Sequence, residues 1–402
     1  MMENKSYRIM QLHTNLLKCL FLWPVDTFSP GLNSLLMYGS FCISMCCGIP
    51  IISAAGYQFY VGIEDVNILL EALIGVYDII GNTVTYVCFL RKQRQIQEII
   101  DDIKDFFQYC GYETVRKIDS EIMCHTKYFL FYVTVSVILN LAWPMLSVNN
   151  CLKSRRSDFY IKHDPCGMPT QNLYPFEASE GIVFWVLYII EAIFCYHTCC
   201  FFSLATVIVI GFLKHITAQL KCCAYKFEHI CDYMGSCKND ENVIIREFVH
   251  LIKYHQRIIK YAEKVFGIFD VMIIVYIGVT SFTLAIIGYQ IAIPKTNLED
   301  RIRYTMLLIG WVLLFYSICF YGQQVRDESM KVGEAIYKSE WYQHQTLLGM
   351  KTDIMFVMRR TQKPLDFKAT LLGEVSLIVF VAVMKRAYQL FTLLLTVTED
   401  GP

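Results

Sequence analysis

The chain lacks the marks of an enzyme. It carries no HExxH, no P-loop, no glycine-rich dinucleotide turn and no CxxC pair with zinc spacing, so neither catalysis nor a cofactor nor a metal is expected. Its nine histidines are dispersed. His250 and His255 are five apart, off the spacing that puts two side chains on one helical face. Charge is scarce and balanced: 18% of residues are charged, and 36 Lys and Arg face 36 Asp and Glu. A net charge of zero leaves no basic footprint for nucleic acid. The opening stretch, MMENKSYRIMQLHTNLLKCLFLWP, has no charged n-region, apolar h-region and small-residue cleavage site in succession, so no signal peptide is expected. It is expected instead as a short helix on the membrane surface, with Trp23 and Pro24 turning the chain into the bilayer.

What the chain does have is apolar residue, at 55% of the sequence, with 14% aromatic and a mean hydropathy of +0.40. That is too apolar for a soluble protein of 402 residues and reads as an all-α, polytopic membrane protein. Seventeen cysteines do not make a disulfide framework here, because most, such as Cys46, Cys47, Cys195, Cys199, Cys200 and Cys319, lie inside apolar runs. Cys151 and Cys166 fall together in a candidate outer loop and are the one candidate bridge.

Seven spans are expected, at 35–60, 66–90, 128–147, 181–213, 265–292, 302–322 and 371–397. Lys and Arg in the connections set their orientation. One side carries 27, with three in the N-terminal segment, seven in 91–127, nine in 214–264 and eight in 323–370. The other carries seven, with none in 61–65, four in 148–180 and three in 293–303. The positive-inside rule then places the N-terminus in the cytoplasm and, after seven spans, the C-terminus outside. That is the reverse of a G-protein-coupled receptor.

The inner connections have helical composition. Residues 241–264 place Ile244, Ile245, Phe248, Val249, Leu251, Ile252, Ile258 and Ile259 on one side of a helix, and the fourth span runs on past 213 in the same manner. Helices 4, 5 and 6 are therefore expected to project into the cell and pack there. The layout is a cytoplasmic segment (1–34), four spans (35–213), anchor helices (214–264), two spans (265–322), more anchor (323–370) and a last helix (371–397).

Several polar groups sit inside the spans: Glu71, Asp78, Asn82, Asn140, Glu191 and Asp270. Such residues mark a cavity or a paired structural site, and either reading fits them. Around them, Tyr77, Tyr86, Trp143, Tyr188, Phe194, Phe282, Tyr304 and Trp311 can wall a pocket for a small lipophilic ligand or serve as belts and packing. The last run, Val375 to Val397, is long enough to span yet holds Lys385 and Arg386 at its middle. Either the helix lines a water-filled path or the two cations snorkel or pair.

The C-terminal block resembles a known family. CFYGQQVRDES at 319–329, AIYKSEW at 335–341, RRTQKPL at 359–365 and SLIVFVAVMKRAYQLFTLL at 376–394 are similar, in order and spacing, to the signature of insect odorant receptors. The resemblance implies a ligand-specific subunit of an odorant-gated, non-selective cation channel in the plasma membrane of olfactory sensory neurons. Such a subunit joins a shared co-receptor in a heterotetramer held by a cytoplasmic anchor, and the seventh helix of each subunit lines the pore. The short 214–264 connection lacks the insertion expected of the co-receptor.

Carried onto this chain, the gate falls at Leu393 and Val397, with Thr396 beside them and Lys385 deeper in the pore helix. The anchor residues are Tyr321, Tyr337, Trp341 and Pro364. The odorant region among helices 2, 3, 4 and 6 takes Leu73, Val76, Tyr77, Ile80, Ser136, Leu139, Asn140, Trp143, Tyr188, Glu191, Phe194, Tyr304 and Leu308. Binding there is expected to be mostly apolar burial, with Glu191 and Asn140 adding a polar contact. The alternatives are a gustatory-type channel of the same architecture and, further off, a metabotropic seven-helix receptor. The last would need Asn4, in the sequon Asn4-Lys5-Ser6, to lie outside the cell.

Overall fold

The computed structural model describes the chain from Thr14 to Glu399, apart from residues 16, 20, 22, 24–28, 62–65, 110–119, 122, 125, 139–140, 143–144, 146–147, 149–166, 171, 173, 177, 179–180, 232–240, 293–297 and 370–372. The Asn4 sequon and the Cys151–Cys166 pair lie outside the described residues.

The fold is nearly all helix, as the composition demands. Helix α1 (Pro30–Val61) starts where Ser29 Oγ accepts the Leu32 N–H at 3.3 Å and Pro30 supplies a first-turn residue with no N–H to satisfy. It is followed by α2 (Val66–Asp102), a short apolar α3 (Thr126–Ile138), α4 (Gly181–Glu228), α5 (Glu241–Ala292) and α6 (Leu298–Lys338). After them come α7 (Lys351–Thr361), a two-stranded hairpin (β1, Lys368–Ala369; β2, Gly373–Glu374) and α8 (Leu377–Glu399). Among the described residues, six helices are long and apolar enough to cross a membrane, and α3 stands at the third expected span.

At 48 and 52 residues, α4 and α5 run to about 72 and 78 Å, more than twice the ~30 Å of a hydrocarbon core. Their excess forms a packed bundle at one end, with α2, α6 and α7. Apolar rings fill it: Phe106, Phe227, Phe248 and Tyr254 are fully buried, and Tyr254 stacks on Tyr109 at 4.4 Å while donating to Gln219 Oε1 at 2.6 Å. Lys264 reaches Asp102 at 3.1 Å and Glu98 at 3.4 Å, and Arg257 pairs with Asp105, tying α5 to the end of α2 and to the 3-10 turn (Ile103–Gln108) that follows it.

The terminal helix begins at Leu377 rather than at 371, because the preceding residues fold back. Gly373 takes a left-handed φ of +89°, the Val375 N–H donates to Phe367 O at 2.7 Å, and Phe367 stacks on Phe266 of α5. Gly322 of α6 lies against the Val375 carbonyl so closely that a Cβ would collide with it. Arg326 of α6 pairs with Glu374 and lies 3.6 Å from Asp366, and Ser329 Oγ accepts the Leu365 N–H at 3.0 Å. The hairpin is thereby pinned to α6 directly ahead of α8.

Candidate functional site

A cavity of about 140 Å³ lies among α1, α2, α4, α6 and the loop before α4. Its walls are Ile51 of α1, Ile74, Gly75 and Asp78 of α2, Phe194, Cys195, Thr198 and Cys199 of α4, and Arg303, Tyr304 and Leu307 of α6. Pro169 and Thr170 complete it from the loop. The helix spacing explains the lining: Ile74 and Asp78 are one turn apart, as are Phe194 and Thr198, so each helix offers a single stripe.

The loop is bound to α4 through one acid. Glu191 is fully buried; its Oε2 accepts the Thr170 N–H at 3.1 Å and its Oε1 accepts the Tyr174 hydroxyl at 2.5 Å. Burial and the adjacent Glu191 push the Tyr174 hydroxyl well above its ordinary range, so it stays protonated and donating. Met168, Tyr174 and Ala178 pack with Ala54, Phe184 and Leu187 into a small apolar cluster that seats the loop on the bundle.

Of the odorant-region residues read from the sequence, Phe194 and Tyr304 line the cavity. Glu191 stands one turn before Cys195 with both oxygens engaged by the loop. Leu73 packs beside Leu70, Ile286 and Tyr289, and Tyr77 stacks on Phe282 at 5.0 Å, so this face of α2 meets α5. Val76 is half-buried and Ile80 is exposed. Leu308 packs with Leu284, Ala285 and Ala387, turned toward α5 and α8. Tyr188 donates to Leu141 O at 2.7 Å, and Ser136 is buried beside Tyr132, whose hydroxyl donates to Met306 O of α6. Leu139, Asn140 and Trp143 lie outside the described residues.

Sequence reasoning left Arg303 and Thr198 out of the site, and it named Asp78 only as an intramembrane acid. Arg303 sits near the N-terminal end of its span and reads as a loop cation until the fold buries it. No signal in the sequence marks Thr198.

The terminal helix has two unlike faces. Val383 and Ala387 are buried, Met384 and Leu390 pack against α5 and α6, and Phe391, Leu394 and Leu395 pack against α2 and α5. Ile378, Val381, Lys385, Tyr388, Gln389, Leu393 and Thr396 are exposed along the opposite side. Arg386 is exposed at the margin of that side, and Thr396 Oγ1 returns to Leu393 O at 2.9 Å. Of Val397, only its place in the helix is described. At the other end, Tyr321 is buried under the Lys214 ammonium, 5.0 Å from its ring. Trp341 is buried, Tyr337 is exposed against Tyr342, and Pro364 is half-buried beside the Ser329 contact.

Comparison with known proteins bears on this arrangement. The family described as 7tm Odorant receptor matches residues 65–388. Odorant receptor 67c of Drosophila melanogaster is 24% identical over 230 residues, which is 57% of this chain and 55% of that one. Putative odorant receptor 92a of the same species is 25% identical over 310 residues, 76% of this chain and 73% of that one. The match thus spans about half the length of the first and nearly three quarters of the second. The insect olfactory receptor OR5 from Machilis hrabei, solved in complex with eugenol, superposes over 98% of this chain and 100% of its own at a TM-score of 0.76 with 15% identity, a likeness of fold.

Proposed function

The chain belongs to the insect odorant receptor family, and from that premise we propose that it is the ligand-binding subunit of an odorant-gated, non-selective cation channel. It is a multi-pass membrane protein, and in this reading it works in the plasma membrane of olfactory sensory neurons with its N-terminus in the cytoplasm and its C-terminus outside. The cavity roofed by Thr170 takes the small volatile ligand. The bundle of α4, α5, α6 and α7, with Tyr321, Tyr337, Trp341 and Pro364, is the anchor through which a heterotetramer with the co-receptor assembles. Leu393, Thr396 and Val397 form the gate.

The bare face of α8 carries the proposal. A span facing lipid on that side would not place Lys385 there, since a cation at mid-bilayer costs about 2.5–3.5 kcal/mol. Against a central aqueous path shared by several subunits, the same face is solvated, and the ring of Leu393 side chains beyond it can close the path by dewetting. An odorant then opens the channel by binding more tightly to the open arrangement of α8 than to the closed one.

The test is patch recording from cells expressing this chain with and without the co-receptor against an odorant panel. Odorant-evoked cation current that needs both chains is the expected result; current that depends on a G protein would refute the channel reading.

A further inference from the structure

Buried polar atoms without partners show what a cavity asks of its occupant. Three such atoms belong to residues lining this one: Asp78 Oδ1, Thr198 Oγ1 and Arg303 Nε. Thr198 and Arg303 are more than nine-tenths buried. The Arg303 guanidinium is already fixed, its Nη2 donating to the Tyr304 hydroxyl at 3.0 Å with its carbon 4.8 Å from that ring. Its Nε–H is left over, and a guanidinium N–H has only a donor role. Thr198 supplies a hydroxyl from α4 and Asp78 a carboxyl from α2.

The space is on the scale of a cavity that holds benzene, but an apolar cavity of that size stays dry, whereas three unpartnered hydrogen-bonding groups favour a polar occupant. A hydrocarbon there would leave all three groups desolvated and unpaired. A site built around hydrogen-bonding groups rejects ligands that lack the matching atoms far more sharply than an apolar pocket rejects an extra methylene. Groups of opposite formal charge, on α2 and α6, also disfavour an ionised ligand of either sign relative to a neutral one with separated donor and acceptor.

Resting on the reading of this cavity as the odorant site, we infer that its ligands are small neutral oxygenates bearing a hydroxyl and a second oxygen, the hydroxyl meeting both Thr198 and Asp78 and the second oxygen accepting the Arg303 Nε–H. This departs from the mainly apolar binding expected of the odorant region that the resemblance implied.

The test uses the full chain co-expressed with the co-receptor. The panel holds heptane, 2-heptanone, 2-heptanol, 3-hydroxy-2-heptanone and hexylamine, with ethylbenzene, anisole, benzyl alcohol and 2-methoxybenzyl alcohol as the benzenoid set. The bifunctional compounds should activate at ~10-fold or more lower concentration than the hydrocarbon of the same skeleton. Thr198→Val, close in shape, should erase about tenfold of that advantage, and Arg303→Met should flatten it further, with partial return in Arg303→Lys. Surface labelling reports whether each variant reaches the membrane, and Thr198→Val decides the matter if Arg303→Met does not. Wild-type currents equal for hydrocarbon or amine and hydroxy compound, or a bifunctional advantage untouched by Thr198→Val, would overturn the ligand class while leaving the channel reading intact. Silence to every odorant in the wider panel would tell against the channel reading itself.

Discussion

Tyr174 and Glu191 lie 17 residues apart in sequence and 2.5 Å apart in space, the phenol donating to a carboxylate oxygen buried in the bundle. With the Thr170 N–H on the other oxygen, this pair makes the loop part of the cavity wall. The cavity wall and the packing of α4 are thereby joined through one acid.

Tyr174→Phe removes the donor and leaves Glu191 Oε1 buried without a partner. The expected loss is about 1–3 kcal/mol, seen as a lower thermal midpoint of the purified receptor. Glu191→Gln keeps an acceptor for one donor and should cost less. A Tyr174→Phe, Glu191→Gln double mutant as unstable as the sum of the singles would show that the two side chains do not act together.

Phe194→Ala opens the cavity on its α4 side, where Phe194 also packs against Ile51 and Ile79. Sensitivity should shift toward bulkier odorants, with a stability loss of about 3–5 kcal/mol if the space fails to collapse. Dose–response curves over ligands graded by volume give the answer, and an unchanged rank order would argue against this cavity as the binding site.

Leu393→Ala trims the exposed apolar side chain near the end of α8. Ligand-free current should rise, because a shorter side chain leaves a wider, wetter constriction. Basal conductance equal to wild type in excised patches would remove Leu393 from the gate.

Gly310 of α6 faces the Tyr132 ring so closely that any Cβ would overlap it. Gly310→Ala should depress surface expression, and Tyr132→Leu in the same chain should restore part of it by clearing the ring. Normal expression of Gly310→Ala alone would mean that α3 and α6 shift apart at little cost.

Arg326→Met strips the cation from Asp366 and Glu374, of which Asp366 is largely buried. A drop of about 1–3 kcal/mol is expected from the acid left behind, more than a surface pair would give. Because the hairpin leads into α8, the odorant concentration for half-activation should rise as well; thermal melts and dose–response curves read the two effects separately.

Much of this was legible before the fold. Apolar runs bounded by charge marked the spans, and helical spacing through 241–264 foretold that α5 continues far beyond the bilayer. The C-terminal motifs named the family. The rotation of each helix was less legible: Leu73 and Tyr77 stood as candidates, yet α2 turns them to α5, while Asp78 faces the cavity and Ile74 borders both. A span whose apolar residues surround it on nearly every side, broken only by a few scattered polar groups, has no clear stripe by which to choose. Leu307 and Leu308 pose the same ambiguity on α6.

The hairpin ahead of α8 was also hidden, since two-residue strands carry no periodicity. By itself the sequence determined the number and length of the apolar segments and the kinship, because hydropathy and motif spacing are properties of the chain taken in order. Only the tertiary structure decided that Asp78, Thr198 and Arg303, from three different helices, share one cavity, and that Glu191 is taken up by a loop. Those meetings depend on how helices pack over long separations, and packing is set by complementary shape between faces rather than by anything local to either.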